Sequence, residues 1–302
     1  MAFGTMATIK KYIWVLLTAL AFGTMEIALK IGGNAFSALQ LTFLRFLIGG
    51  LFLLPFAVHD LKKRQYKLSR KDWGFILLIA FVNIVISMTL FQLSGMHDNA
   101  NLAAVLISFN PMFTMIFAHF IANERFTHKK ALVLAICLTG LVLVAAPWHL
   151  AQGNTVSGIL MGLGASIAFG FYTALSKRHI AQIGGMALNS FSFILGSCME
   201  LIILLCLHEP VLQNITRPDA LPVLIYVSLV VTGFGYFCFM KAIENAGAST
   251  ASYAFFVKPI IAMCLAAVIL NEPITWNIAL GIAIIVTGCF FNAYKPKNTL
   301  NT

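Results

Sequence analysis

Long apolar runs, broken at short intervals by clusters of polar and basic residues, organise this chain from one end to the other. Ten runs stand out, at residues 12–31, 38–58, 73–93, 102–122, 131–146, 156–175, 186–207, 221–240, 250–270 and 276–293. At about 1.5 Å per residue, helices of these lengths cross all or nearly all of a hydrocarbon core of about 30 Å. The fifth, with sixteen residues, is marginal. The runs are continuous, whereas strands of a membrane barrel alternate over about 10 residues, so the pattern selects helices. It predicts an all-α integral membrane protein of ten transmembrane helices.

Composition agrees with that setting: 60% of the 302 residues are hydrophobic and 10% charged, with a mean hydropathy of +0.91, against roughly 45–50% and about 25% in soluble domains. A secretory signal peptide competes for the first run, because Lys10 and Lys11 precede a stretch containing Ala19-Leu20-Ala21. That run outlasts the about 7–15 apolar residues of such a signal and recurs in mid-chain, which favours a retained helix.

The net charge of +10 changes the picture through its placement. With the N-terminus in the cytoplasm, 16 of the 20 Lys and Arg residues fall in cytoplasmic segments, six of them between Lys62 and Lys71, while Arg217 alone lies clearly in an external loop. The positive-inside rule then puts both termini in the cytoplasm. The basic charge reads as topology, with contact to lipid headgroups at 61–71 as a lesser use, and no nucleic-acid partner is expected. All six cysteines fall in apolar runs without C-x-x-C spacing, which reads as small buried hydrophobes and not as a disulfide or metal framework. No H-E-x-x-H, P-loop or G-x-S-x-G occurs, so neither an enzyme nor a cofactor is expected.

The chain also repeats. A shift of 147 residues lays Ala21-Phe22-Gly23 on Ala168-Phe169-Gly170 and Lys30 on Lys177; a shift of 148 lays Asn110-Pro111 on Lys258-Pro259, Asn123-Glu124 on Asn271-Glu272 and Thr139-Gly140 on Thr287-Gly288. Matches in one order at nearly one offset indicate a duplicated five-helix unit, 1–148 and 149–302. Five is odd, so the second copy enters the membrane from the opposite side. Two inverted repeats about the membrane midplane are a transporter architecture.

A-F-G with a Lys seven residues on, L-R-F-L-I-G-G (44–50), N-P followed by N-E-R-F-T, and then K-P, N-E-P-I-T and I-A-L-G-I-A-I-I-V-T-G (278–288) resemble the drug/metabolite transporter superfamily, specifically its EamA-type members. The resemblance covers essentially the whole chain. It implies ten helices in two repeats, cytoplasmic termini and secondary transport of small metabolites, often export, through a central cavity. The family's first helix commonly continues W-G with small or apolar residues; this one reads Phe22-Gly23-Thr24-Met25-Glu26, so the resemblance leaves Glu26 unexplained.

Charges inside the runs carry the candidate chemistry, because each costs about 2.5–3.5 kcal/mol on insertion scales and by default faces the bundle interior. Lys258 sits near midspan before Pro259, opposite Asn110-Pro111 in the repeat. The pair is a natural place for an anionic substrate group, although a Lys that only satisfies loosened carbonyls would look the same. Arg45 reads as glue between helices or as part of a gate. Glu26 and Lys30, four apart on one helix face, form either a structural ion pair or a substrate and coupling site; the repeat replaces Glu26 by Thr173. Glu200 is a second buried acid that could pair with Arg45. Glu124 and Glu272 read as structural, each suited to hold free amides at a helix N-terminus. Asn83, Tyr172, Tyr236 and Tyr253 are candidate cavity-lining groups, each also explicable as packing.

These readings predict a multi-pass transporter of a bacterial-type inner membrane, exporting or exchanging a small amino-acid-like or zwitterionic metabolite. Lys258 and Asn110 would hold its acid group, and Glu26 its amine or a coupling proton. A larger cationic metabolite, such as a nucleoside-sulfonium compound, is the alternative within transporters. A channel or a non-transporting sensor is the alternative outside them.

Overall fold

The computed structural model describes residues 2–32, 35–97, 105–145, 155–269, 271 and 275–293, with backbone alone for 2–11, Glu26, Lys30, Gly32, Met96, His97, Ala145, Asn292 and Ala293. Among them there is helix and no strand. Seven helical stretches are long and apolar enough to cross a membrane: Tyr12–Leu29, Ala38–Arg64, Arg70–Gly95, Val156–Ile183, Gly185–Cys206, Leu221–Ala246 and Ala248–Ile269. This is a multi-pass membrane protein. Helix also occupies the described parts of the fourth, fifth and tenth segments, as the shorter Val105–Ile121, His128–Ala145 and Trp276–Ala293.

Several helices outrun the apolar pattern at the end that carries the basic residues. Ala38–Arg64 continues past the predicted 58 before Gln65 closes it in the left-handed region at φ 51°, and Val156–Ile183 passes the predicted 175 before Gly184 turns at φ 90°. Hydropathy marks where a helix meets lipid, whereas a cap marks where it stops. Starts are set the same way: Ser69 and Asp72 form a reciprocal capping box ahead of the third segment, and the Thr155 hydroxyl accepts the Gly158 amide ahead of the sixth. The first segment is interrupted at Thr24, between the helices Ala2–Gly23 and Met25–Gly32.

The two halves share one core. Ala38–Arg64 lies along Gly185–Cys206 and His128–Ala145 along Trp276–Ala293, so helices at like positions in the two halves are partners. Asn110–Ile121 packs on Val156–Ile183, and Ala2–Gly23 on both Gly235–Ala246 and Ala254–Ile269.

The repeated motifs meet crosswise. A Cβ on Gly23 would lie 3.0 Å from the Lys258 carbonyl and 2.9 Å from Ile261, and one on Gly170 would lie 2.8 Å from the Thr114 nitrogen. Each A-F-G therefore presses against the x-Pro turn of the other half, and the absent side chain permits the approach. Gly49 and Gly196, 147 apart, do likewise: a Cβ on Gly49 would meet Thr232, and one on Gly196 would meet Ile84. Both targets lie in π-helical turns, Phe81–Met88 and Val227–Phe234, which are of equal length and 146 residues apart. The duplicated Asn of the N-E motif is explained too. Asn123 and Asn271 both take φ near 54° after their helices, at 54° and 53°, a conformation Asn tolerates at a helix end.

Candidate functional site

Between the crossings lies a small chamber of about 30 Å³, room for a water or two and too small for any metabolite. Its wall is mostly apolar, made by Phe22, Phe91, Phe169 and Phe255 with Met25 and Met88, and three polar groups enter it: Arg45, Tyr236 and Lys258.

Each polar group is held by its element. Arg45 is 2% exposed, with its guanidinium nitrogens 3.3 Å from the Met25 sulfur and 3.2 Å from the Met88 sulfur and its carbon 4.6 Å above the Phe46 ring. Soft sulfurs and a π face are favourable neighbours for a guanidinium. The Tyr236 hydroxyl reaches the same Met88 sulfur at 3.6 Å, while its ring sits edge-on against Phe193 and Phe22. Lys258 is 4% exposed and holds its ammonium 5.3 Å from the Phe91 ring centroid. Pro259 lies inside the helix Ala254–Ile269, so the break in the ninth segment falls earlier, at Ser252-Tyr253.

Of the residues singled out in the sequence, the structure brings Arg45, Tyr236 and Lys258 together at this wall. Four others lie off it. Asn110 opens the helix Asn110–Ile121, and its side-chain oxygen accepts from the Thr114 hydroxyl at 3.2 Å. Pro111 thus takes a first-turn position where a missing amide costs nothing, and the expected symmetry between Asn110-Pro111 and Lys258-Pro259 stops at the prolines. Asn83 is buried within the π-helical turn, with neither amide atom hydrogen-bonded among the described residues. Tyr172 donates to the Asn189 side-chain oxygen at 2.7 Å. The Tyr253 hydroxyl is buried without a partner among the described residues. The Glu26 and Lys30 side chains lie outside the described residues, as does Glu272; Glu26 follows Met25, which lines the chamber.

Two other expectations change. Glu200 meets the Thr89 hydroxyl at 2.9 Å, where a pairing with Arg45 was considered. Glu124 does hold free amides, but across the bundle: it accepts from the Ala248 and Ser249 nitrogens at 2.6 and 3.1 Å, with Lys130 at 3.6 Å.

The lining residues that the sequence missed include Met25, Met88, Phe91 and Phe255, for which no sequence signal existed. Phe22 and Phe169 stood inside the repeated A-F-G and could have been found there.

The two ends of the bundle close differently. At the basic end Arg64 pairs with Asp60 at 3.0 Å and Glu244 at 3.7 Å, and Lys241 pairs with Glu244 at 2.8 Å. At the other end amides bind carbonyls: Gln40 donates to Val211 and Gln213 at 3.2 and 2.7 Å, and Asn214 to Ala35 at 2.8 Å.

A model of the EamA-like transporter family matches the chain twice, over residues 9–146 and 156–294. An uncharacterized transporter of Clostridium kluyveri is 35% identical over 294 residues, covering 95% of this chain and 94% of its own. The uncharacterized transporter YoaV of Bacillus subtilis is 24% identical over 289 residues, covering 95% and 97%. A crystal structure at 16% identity superposes with a TM-score of 0.75 over 95% of this chain and 96% of its own, a likeness of fold alone. With both halves matched by one family model, the chain belongs to the EamA-like transporter family, within the drug/metabolite transporter superfamily.

Proposed function

We propose that this chain is a secondary transporter that exports or exchanges a small amino-acid-like or zwitterionic metabolite by alternating access through the central chamber. In this reading ten helices span a bacterial-type inner membrane as two inverted repeats, 1–148 and 149–302, with both termini in the cytoplasm. The supporting features are the basic residues gathered at one end, the crosswise motif contacts and the family. One observation carries the substrate class: two cations, Arg45 and Lys258, enter one buried apolar chamber beside a tyrosine hydroxyl. In a medium of low dielectric such a pair attracts an anionic group strongly.

The substrate's carboxylate sits between Lys258 and Arg45, the Tyr236 hydroxyl orients it, and the aromatic wall excludes water. Glu26, one residue beyond the chamber-lining Met25, receives the amine. The alternative of a larger organic cation fits less well, since it would have to approach two positive charges.

A thermal-shift screen of amino acids, organic acids, polyamines and nucleosides comes first, because a ligand stabilises the state it binds. Counterflow of the hit in proteoliposomes follows, with Lys258→Met and Glu26→Gln. Wild-type rate and affinity in both folded variants would sink the site. Stabilisation by polyamines alone would sink the substrate class.

A further inference from the structure

We infer that Glu200 is a proton-binding site, and that Thr89 relays its protonation to the wall of the chamber. Glu200 is fully buried in Gly185–Cys206 and is not among the residues lining the chamber. One carboxyl oxygen lies 2.9 Å from the Thr89 hydroxyl; the other is buried with no partner among the described residues. A neutral carboxylic acid tolerates such surroundings, whereas a carboxylate left with one donor does not.

Thr89 makes the site a relay. Its hydroxyl oxygen is also 3.1 Å from the Ile84 carbonyl, which already takes the Thr89 amide five residues on. A hydroxyl has one hydrogen and can accept as well as donate, so it cannot donate to both neighbours at once. With Glu200 protonated, the acid donates to Thr89 and Thr89 donates to Ile84. When the proton leaves for water admitted to the bundle, the Thr89 hydrogen turns to the Glu200 carboxylate and Ile84 loses its second donor. The affected carbonyl belongs to the π-helical turn Phe81–Met88, a wide turn of the kind found at functional sites. That turn ends in Met88, whose sulfur touches both Arg45 and Tyr236. One proton at Glu200 thus bears on two of the chamber's three polar groups.

The charged groups on the packed elements leave Glu200 to Thr89. On Ala38–Arg64, Arg45 faces Met25, Met88 and Phe46. Asp60, Arg64, Lys241 and Glu244 are joined at the basic end, as are Asp72 with Ser69 and Tyr66 and Lys177 with the Ile243 carbonyl. Phe81–Met88 carries no charged residue.

The proton site stands on geometry alone; its use as a coupling site rests on the transport reading, and the two are tested apart. Infrared difference spectra of the full chain in lipid nanodiscs, between acidic and alkaline buffer, read the carboxylic C=O stretch without substrate. A titrating band that Glu200→Gln removes and Glu26→Gln keeps is expected; an unchanged band in Glu200→Gln overturns the site. Hydrogen exchange of residues 81–89, corrected for its intrinsic pH dependence, reads the relay. Protection falls with rising pH in the wild type and loses that dependence in Glu200→Gln and Thr89→Val; equal dependence in all three overturns it. Should Glu200→Gln not fold, Thr89→Val decides, because removing the one hydroxyl that the protonated acid donates to shifts the band. Counterflow undisturbed by an imposed pH gradient refutes coupling and leaves transport standing, whereas an intact Glu200 band with no counterflow refutes transport alone.

Discussion

The two crossings of A-F-G over an x-Pro turn are built alike and equipped differently. Phe22 and Phe169 both lie within ring contact of Phe255, at 5.6 and 5.0 Å, and of Tyr236, at 5.1 and 6.3 Å. Both glycines clear a backbone in the opposite half. Yet one crossing delivers the Lys258 ammonium to the chamber, while the other folds Asn110 back onto Thr114. The second helices behave the same way: Phe46 and Phe193, 147 apart, touch each other at 4.8 Å, but their preceding residues are Arg45 on the wall and Ser192 off it. Repetition builds the frame here, and the departures from it place the charge.

The sharpest way to break this comparison is to remove the cation from one crossing. Lys258→Met keeps length and apolar packing and loses a charge-assisted contact of about 1.5–3 kcal/mol, so apparent substrate affinity in counterflow is expected to fall about 10- to 100-fold. The folded fraction in detergent stays near wild type, since a buried charge is exchanged for a side chain the chamber's aromatic wall accepts. Unchanged affinity would mean that the two crossings are functionally equivalent after all.

The frame itself is tested by filling the glycines. Gly23→Ala and Gly170→Ala each force a Cβ to within 3.0 Å of atoms in the opposite half, an overpacking of about 1–3 kcal/mol. Similar losses of thermal stability are expected in both. Transport separates them, because Gly23→Ala displaces the backbone of Lys258 itself, whereas Gly170→Ala displaces Phe113 and Thr114. Equal transport in two equally destabilised variants would contradict the asymmetry.

A smaller effect is expected away from the chamber. Glu124 satisfies two amides at the start of Ala248–Ala251 from the opposite half, so Glu124→Ala costs about 0.5–2 kcal/mol, the value of a lost cap, read as a lower melting temperature with substrate affinity unchanged.

Much of this organisation was legible in the sequence. Hydropathy gave the apolar segments because lipid tolerates only internally satisfied backbone, and the duplicated motifs mark contacts whose chemistry both copies need. The interruptions at Thr24 and Ser252-Tyr253 were not legible, since a helix break inside an apolar run leaves the run apolar. Nor were the helix ends beyond 58, 175 and 240, where polar residues continue a helix into water. The pairing of Glu200 with Thr89 was out of reach for another reason: the two lie 111 residues apart and depend on how the third and seventh segments are rotated against each other. Lys258 and Asn110 were assigned one place by symmetry; the structure puts Lys258 on the chamber's wall and Asn110 off it, and only the side-chain direction separates them.

The smallest predicted effect is therefore at Asn110. Its side-chain nitrogen is buried without a partner among the described residues, and its oxygen accepts a bond from Thr114 on its own helix. Replacing it by Leu gives up one neutral hydrogen bond, worth about 0.5–1.5 kcal/mol net, and also removes an unsatisfied donor whose burial costs about 1–3 kcal/mol, so stability stays level or rises slightly. Counterflow affinity is expected to remain within about threefold of wild type, a difference under about 0.7 kcal/mol. The double exchange Asn110→Lys with Lys258→Asn then completes the comparison. If charge alone mattered, moving the cation to the other crossing would restore binding. Since position 110 points along its own helix and position 258 into the chamber, the exchanged chain is expected to bind as poorly as Lys258→Met.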